Sequence, residues 1–122
     1  MSSAAAPDGA SEPQGFAHLI EKVTVMHASA TWGDAVQDVE AVLGAPGFSD
    51  GTGWASFGTV AVSDESGPAW SLLAKTRSLE AVARAAAALG WQVGPVVSGG
   101  HEDRRSLTAP TGLQVVAYAP HA

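Results

Sequence analysis

The chain of 122 residues contains no cysteine. That excludes disulfide frameworks and thiolate metal centres, and it leaves the redox compartment unmarked. Basic residues are scarce too: six Lys plus Arg stand against twelve Asp plus Glu, for a net charge of −6. So few cations suit neither a phosphate backbone nor an anionic bilayer, and neither nucleic acid nor membrane is expected as a partner. No apolar run approaches the roughly 18 residues that would suggest a membrane span. The opening MSSAAAPDGASEPQG lacks the basic flank and apolar core of an export signal. A cytoplasmic location is therefore the expectation. Few lysines beside abundant Ala, Gly and Val also give the chain the composition of a GC-rich bacterial genome.

Apolar residues make up 46% of the chain, enough to fold. The length suits one domain that buries about two-thirds of its unfolded surface. Residues 1–15 are small, polar and broken by two prolines, so they read as a disordered tail. Residues 16–122 read as a single domain.

The stretch from Trp70 to Tyr118 carries the clearest pattern. Trp70–Thr76 is an apolar strand. Ser78 follows as a helix N-cap, with Glu80 in the first turn where the helix dipole favours negative charge. Leu79, Val82, Ala83, Ala86 and Leu89 form one apolar stripe, and Gly90 supplies a left-handed stop. Strands are expected over residues 91–97, 104–108 and 112–118. A weaker copy lies upstream. It begins with a strand over residues 19–28, with Val23, Val25 and His27 on one face and Lys22, Thr24 and Met26 on the other. Thr31 and Asp34 then resemble a capping box for a helix over residues 32–43, whose stripe is Ala35, Val36, Val39, Val42 and Leu43. Gly44 and Pro46 end it. Residues 48–53 have turn chemistry, and short strands are expected over 54–57 and 59–63. Gly44 and Gly90 stand 46 residues apart, each closing a helix that follows a strand. Two copies of a strand–helix–strands unit follow, at about 19–66 and 69–119.

Ser78-Leu79-Glu80-Ala81, the Ala-Leu-Gly ending at Gly90, and RSLTAPTGLQVVAY over residues 105–118 resemble the vicinal oxygen chelate superfamily, the glyoxalase and bleomycin-resistance group. The turn of that family's pattern, Asp-Pro-Asp-Gly, is here Ala109-Pro110-Thr111-Gly112, which keeps Pro and Gly and loses both acids. The resemblance implies an α+β fold: two βαβββ modules in a curved, open, barrel-like sheet with helices outside. It also implies a homodimer. A ferredoxin-like α+β barrel is the competing fold, but it expects one strand after the second helix where about three are counted.

Carried over residue by residue, the family's metal positions fall at Lys22, at or beside Ser71, at Val116, and near Val62–Asp64. A lysine and a valine cannot serve a divalent cation, which needs several O or N ligands. The expectation is therefore no metal and no cofactor. The four histidines lack metal spacing, and Ser98-Gly99-Gly100-His101-Glu102-Asp103 holds triad letters in one solvated loop rather than on separate elements. Trp32 and Trp91 are most simply packing residues and Trp70 is core or rim, whereas Trp54 could line a cavity. By strand parity, the resemblance puts Lys22, Thr24, Met26, Ser71, Leu73, Gln114, Val116 and Tyr118 on the cavity face, a mostly apolar set with a few polar groups. With Trp54 these are the expected ligand-binding residues, although they could equally fill a dimer interface. The expected function is metal-independent binding of an apolar or aromatic molecule. The alternative is a glyoxalase-like lyase or isomerase using a recruited metal or Lys22 or Tyr118 as acid–base group. No catalytic residue is singled out.

Overall fold

The computed structural model describes residues 15–121. The tail read at 1–15 lies outside them, Gly15 apart. After a 3-10 turn at Ala17–Leu19 the chain runs β1 (Ile20–Ala28), α1 (Trp32–Leu43), β2 (Phe48–Ser49), β3 (Trp54–Ser56) and β4 (Val60–Ser63). It then repeats the order as β5 (Trp70–Thr76), α2 (Leu79–Ala88), β6 (Gln92–Ser98), β7 (Glu102–Thr108) and β8 (Gln114–Pro120). The βαβββ unit expected from the sequence therefore occurs twice. All eight strands join one sheet in the order β2-β3-β4-β1-β5-β8-β7-β6. Each half places its first strand at the centre, parallel to its own last strand: β1 beside β4, and β5 beside β8. The halves meet through one antiparallel ladder, β1 against β5.

That ladder sets which side chains share a face. Thr24 pairs with Leu73 and Met26 with Ser71, while Val23 pairs with Ala74 and Val25 with Leu72. Ala74 belongs to the core cluster with Val82, Ala86, Leu107, Val115 and Ala117. The odd-numbered face of β1 therefore meets the helices, and Lys22, Thr24 and Met26 look the other way into the curve of the sheet. The expected parity is the observed one.

α2 forms as its sequence predicts. The Ser78 hydroxyl accepts the Ala81 N–H at 3.0 Å. Val82, Ala83 and Ala86 are buried, and Gly90 closes the helix with φ +84°. Phe16 packs edge-on to Trp91 at 5.3 Å over the end of this core. The core thus gathers under α2 and the second half of the sheet.

α1 departs from expectation. Thr31 occupies the N-cap but makes no side-chain cap bond, so the capping box does not form. The Ser29 hydroxyl instead accepts the Thr31 N–H at 3.1 Å. Of the five expected stripe residues only Ala35 is buried; Val42 is 80% exposed and Leu43 50%. The neighbouring strands β2, β3 and β4 have two, three and four residues, too short to floor the whole helix. Trp32 anchors the first turn, its indole N–H donating to the Val62 carbonyl at 3.0 Å. Boundaries also shift, the last strand from the expected 112–118 to Gln114–Pro120 among them. Phe48–Ser49 pairs with β3 rather than only turning. Glu102 and Asp103, read as loop, open β7.

Candidate functional site

The concave face of the sheet carries a cavity of about 310 Å³. Its floor is Met26 from β1, Ser71 from β5, Val116 from β8, and Arg104 and Ser106 from β7. Pro95 and Val97 from β6 form one wall, and the connection between the two halves, Glu65 to Pro68, forms the rim. The pairings Met26 with Ser71, Ser106 with Val116 and Val97 with Arg104 explain why these side chains converge.

Ser71 is the chemically distinctive member. It is 5% exposed, and its hydroxyl is the one buried side-chain polar atom among the described residues without a hydrogen-bond partner. A buried hydroxyl left unpaired costs about 1–3 kcal/mol, so a fold that keeps one in a cavity wall has a polar group ready for something that enters.

Arg104 ties the rim down. One of its terminal nitrogens donates to both Glu65 carboxylate oxygens, at 2.9 and 3.2 Å, and its Nε donates to Glu102. Burial of the guanidinium works against its charge, but the hydrogen bonds and fields of Glu102 and Glu65 outweigh that and raise its pKa. Arg105, next on β7, also lines the cavity, and its Nε donates to the Gly94 carbonyl at 2.8 Å. Tyr118, opposite Arg104 on β8, has its pKa raised by burial first and by the Glu102 charge second. Its phenol therefore stays protonated at neutral pH, a donor rather than a base.

The structure sorts the nine residues expected from the sequence. Met26, Ser71 and Val116 line the cavity. Lys22, Thr24, Leu73, Gln114 and Tyr118 share the same face by register but lie off the cavity wall. Trp54 pairs with Ser63, whose neighbour Ala61 pairs with Met26, so it too stands on this face, three strands from Ser71. Arg104, Ser106, Pro95, Val97 and the Glu65–Pro68 rim were not foreseen. Parity on the expected strand 104–108 puts Arg104 and Ser106 on one face; that this face meets the cavity follows from the pairing of β7 with β8 and β6.

The places where the resembled family holds a metal ion can now be read directly. Lys22 is exposed, Ser71 offers a hydroxyl, and Val116 offers nothing. On β4 the cavity-side residue is Ser63, whose hydroxyl accepts the Glu65 N–H at 3.0 Å; Val62 points to the helices and Asp64 lies beyond the strand. These donors do not fit a divalent cation. Among the described residues no three His, Cys, Asp or Glu side chains converge. His27 is accounted for structurally: its Nδ1–H donates to the Ala69 carbonyl at 2.8 Å and its ring stacks on Trp70 at 4.2 Å. His101, in the β6–β7 turn, is exposed.

Two further hollows lie on the helix side. One, about 530 Å³, runs beneath α1 between Val39, Val42, Val60 and Trp70. The other, about 560 Å³, lies between Phe16, Leu72, Leu89 and Trp91. Charged residues border both, Asp34 and Asp38 the first and Glu21 and Lys22 the second, and among the described residues no buried polar side-chain atom in their walls is unpaired.

A doubled βαβββ unit, paired through its first strands into one curved sheet with the cavity on the side away from the helices, is the vicinal oxygen chelate fold. No family model and no curated protein matches the sequence. Solved structures do match. A glyoxalase/bleomycin resistance protein/dioxygenase superfamily member from Vibrio splendidus 12B01 superimposes with a TM-score of 0.60 at 10% identity, over 82% of this chain and 98% of that one. Methylmalonyl-CoA epimerase from Mycobacterium tuberculosis gives 0.53 at 13% identity, over 91% and 93%. A structure described as the NAD-dependent benzaldehyde dehydrogenase from Legionella pneumophila gives 0.69 at 11% identity, over 82% and 100%. At such identities the likeness establishes the fold and nothing finer.

Proposed function

We propose that the protein binds a small, largely apolar organic molecule in the concave cavity without a metal ion. The observation that carries this reading is the cavity itself: Met26, Ala28, Pro68, Pro95, Val97 and Val116 give it an apolar surface beside the polar rim, with the buried Ser71 hydroxyl set among them. Apolar walls with few, placed polar groups are the usual make-up of a small-molecule site, and about 310 Å³ falls at the lower end of their range. The cavity is open on one side, and Val96 and Val97 beside it are exposed. We further propose that a second copy of the chain covers that opening, in a homodimer.

The enzymatic alternative is less well supported. Lys22 is exposed and off the cavity wall, and Tyr118 is held in its protonated form. A general base is wanted near the reacting atoms, and neither residue supplies one there.

The test is a melting screen of purified protein, stripped with a chelator, against aromatic and apolar compounds and against zinc, nickel and manganese salts. The expected result is a rise in Tm with organic compounds and none with metals. A stoichiometric metal on the washed protein, or turnover of a hemithioacetal, would overturn the reading. Sedimentation should give twice the chain mass; a monomer at micromolar concentration would remove the dimer.

A further inference from the structure

We propose that Ser71 selects the ligand of the concave cavity by donating a hydrogen bond to an uncharged acceptor, a ketone, aldehyde, amide or ester carbonyl, in preference to a carboxylate or a hydrocarbon of the same shape. This names the ligand class for the binding reading above and rests on it.

The argument begins with the unmet hydrogen-bonding capacity of the cavity. The Ser71 hydroxyl is buried and unpartnered, on the floor between Met26 and Val116. It sits on the central ladder, where the backbone N–H and C=O groups are taken by β1 and β8, so no nearby main chain can turn to meet it. At the rim Glu65 and Glu102 both receive bonds from Arg104, whose second terminal nitrogen has no protein acceptor among the described residues. Ser71 and that nitrogen are open donors, and both suit a ligand oxygen that accepts.

Desolvation then separates a carbonyl from a carboxylate. Arg104 is shared by Glu65 and Glu102, and Arg105, the other cation of the lining, gives its Nε to the Gly94 carbonyl at 2.8 Å. A carboxylate would forfeit its hydration on entering, and Ser71 offers it one neutral donor in return. A neutral carbonyl gives up far less water and gains one bond from Ser71. A hydrocarbon of the same shape fits the walls and leaves the hydroxyl unpaired.

The experiment uses three probes built on one naphthalene ring, bearing an acetyl, a carboxylate or an ethyl group at the same carbon. Each is titrated into full-length protein and followed by amide chemical shifts, with Met26, Ser71 and Val116 marking the cavity. The acetyl compound should bind there most tightly. S71A should weaken it about three- to tenfold, the worth of one neutral hydrogen bond, and leave the ethyl compound unchanged. S71A should melt no lower than the parent, because the hydroxyl it removes has no protein partner. If it fails to fold, S71C replaces it as a nearly isosteric variant with a weaker donor. Equal binding of all three probes in the cavity, or an acetyl affinity indifferent to S71A, overturns the selection by Ser71 while leaving the cavity as a site. If no probe shifts the cavity residues, or shifts appear only around Val42 and Trp70 on the helix side, the binding reading itself falls and the selectivity with it.

Discussion

Asp50 shows how much one side chain can organise. Its Oδ1 accepts the N–H groups of Thr52 and Gly53 at 2.9 Å and of Trp54 at 3.0 Å. Those three bonds hold its pKa down at about 2, led by the one from Gly53. Because the folded-state value lies below the ordinary 3.8, the stability Asp50 lends is present at neutral pH and fades as pH falls from about 4 towards 2. A carbon-detected titration of the Asp50 carboxyl should show a midpoint near 2. Asp50→Asn should loosen the turn before β3, seen as faster amide exchange at Thr52, Gly53 and Trp54. Much of this scale was legible in the sequence. Asp50-Gly51 announces a turn, and the alternation around Thr24 and Met26 assigns their face, because both follow from local backbone geometry. The unpaired state of Ser71 was not legible, since a missing partner is a property of four strands together. Arg104 was missed for a different reason: its strand was expected, but its place on the cavity depends on the pairing with β6 and on the Glu65 rim, which come from distant parts of the chain.

At the scale of elements, the two helices make a controlled pair. Ser78 caps α2 through its hydroxyl, and Thr31 stands at the N-cap of α1 without a side-chain bond. Ser78→Ala should therefore cost about 1 kcal/mol in denaturant unfolding, while Thr31→Ala should cost clearly less. Equal losses would mean that the caps differ only on paper. The lesson of α1 is that periodicity reveals which face of a helix is apolar and is silent on whether anything lies against it. Val39, Val42 and Leu43 fall on one stripe as expected, but the strands beside them are too short to cover it. The Glu65–Arg104 pair belongs to this scale as well. It pins the inter-module connection across 39 residues, with Arg104 mostly covered and Glu65 half exposed. Such a pair is worth up to about 1 kcal/mol and weakens with salt. Glu65→Gln should speed amide exchange across residues 65–68 with little change in Tm.

For the molecule as a whole, stability is lopsided. Leu107, Val82 and Ala86 are fully buried under α2, whereas the first half buries mainly small residues such as Ala55, Ala61 and Ser63. Leu107→Ala should cost about 2–5 kcal/mol by cavity formation, and Val42→Ala on the exposed stripe almost nothing, as read from urea midpoints. The sheet also never closes on itself, and an open sheet has two free rims. One is β2, only two residues long; the other is β6, which carries Pro95 within a register break between Val93 and Val96. A short strand gives an incoming chain little to pair with, and a proline withholds an amide proton where a ladder would grow. The sheet can therefore stay open without inviting strand-to-strand growth at its borders, and replacing Pro95 with valine should bring aggregation at concentrations where the natural chain stays clear.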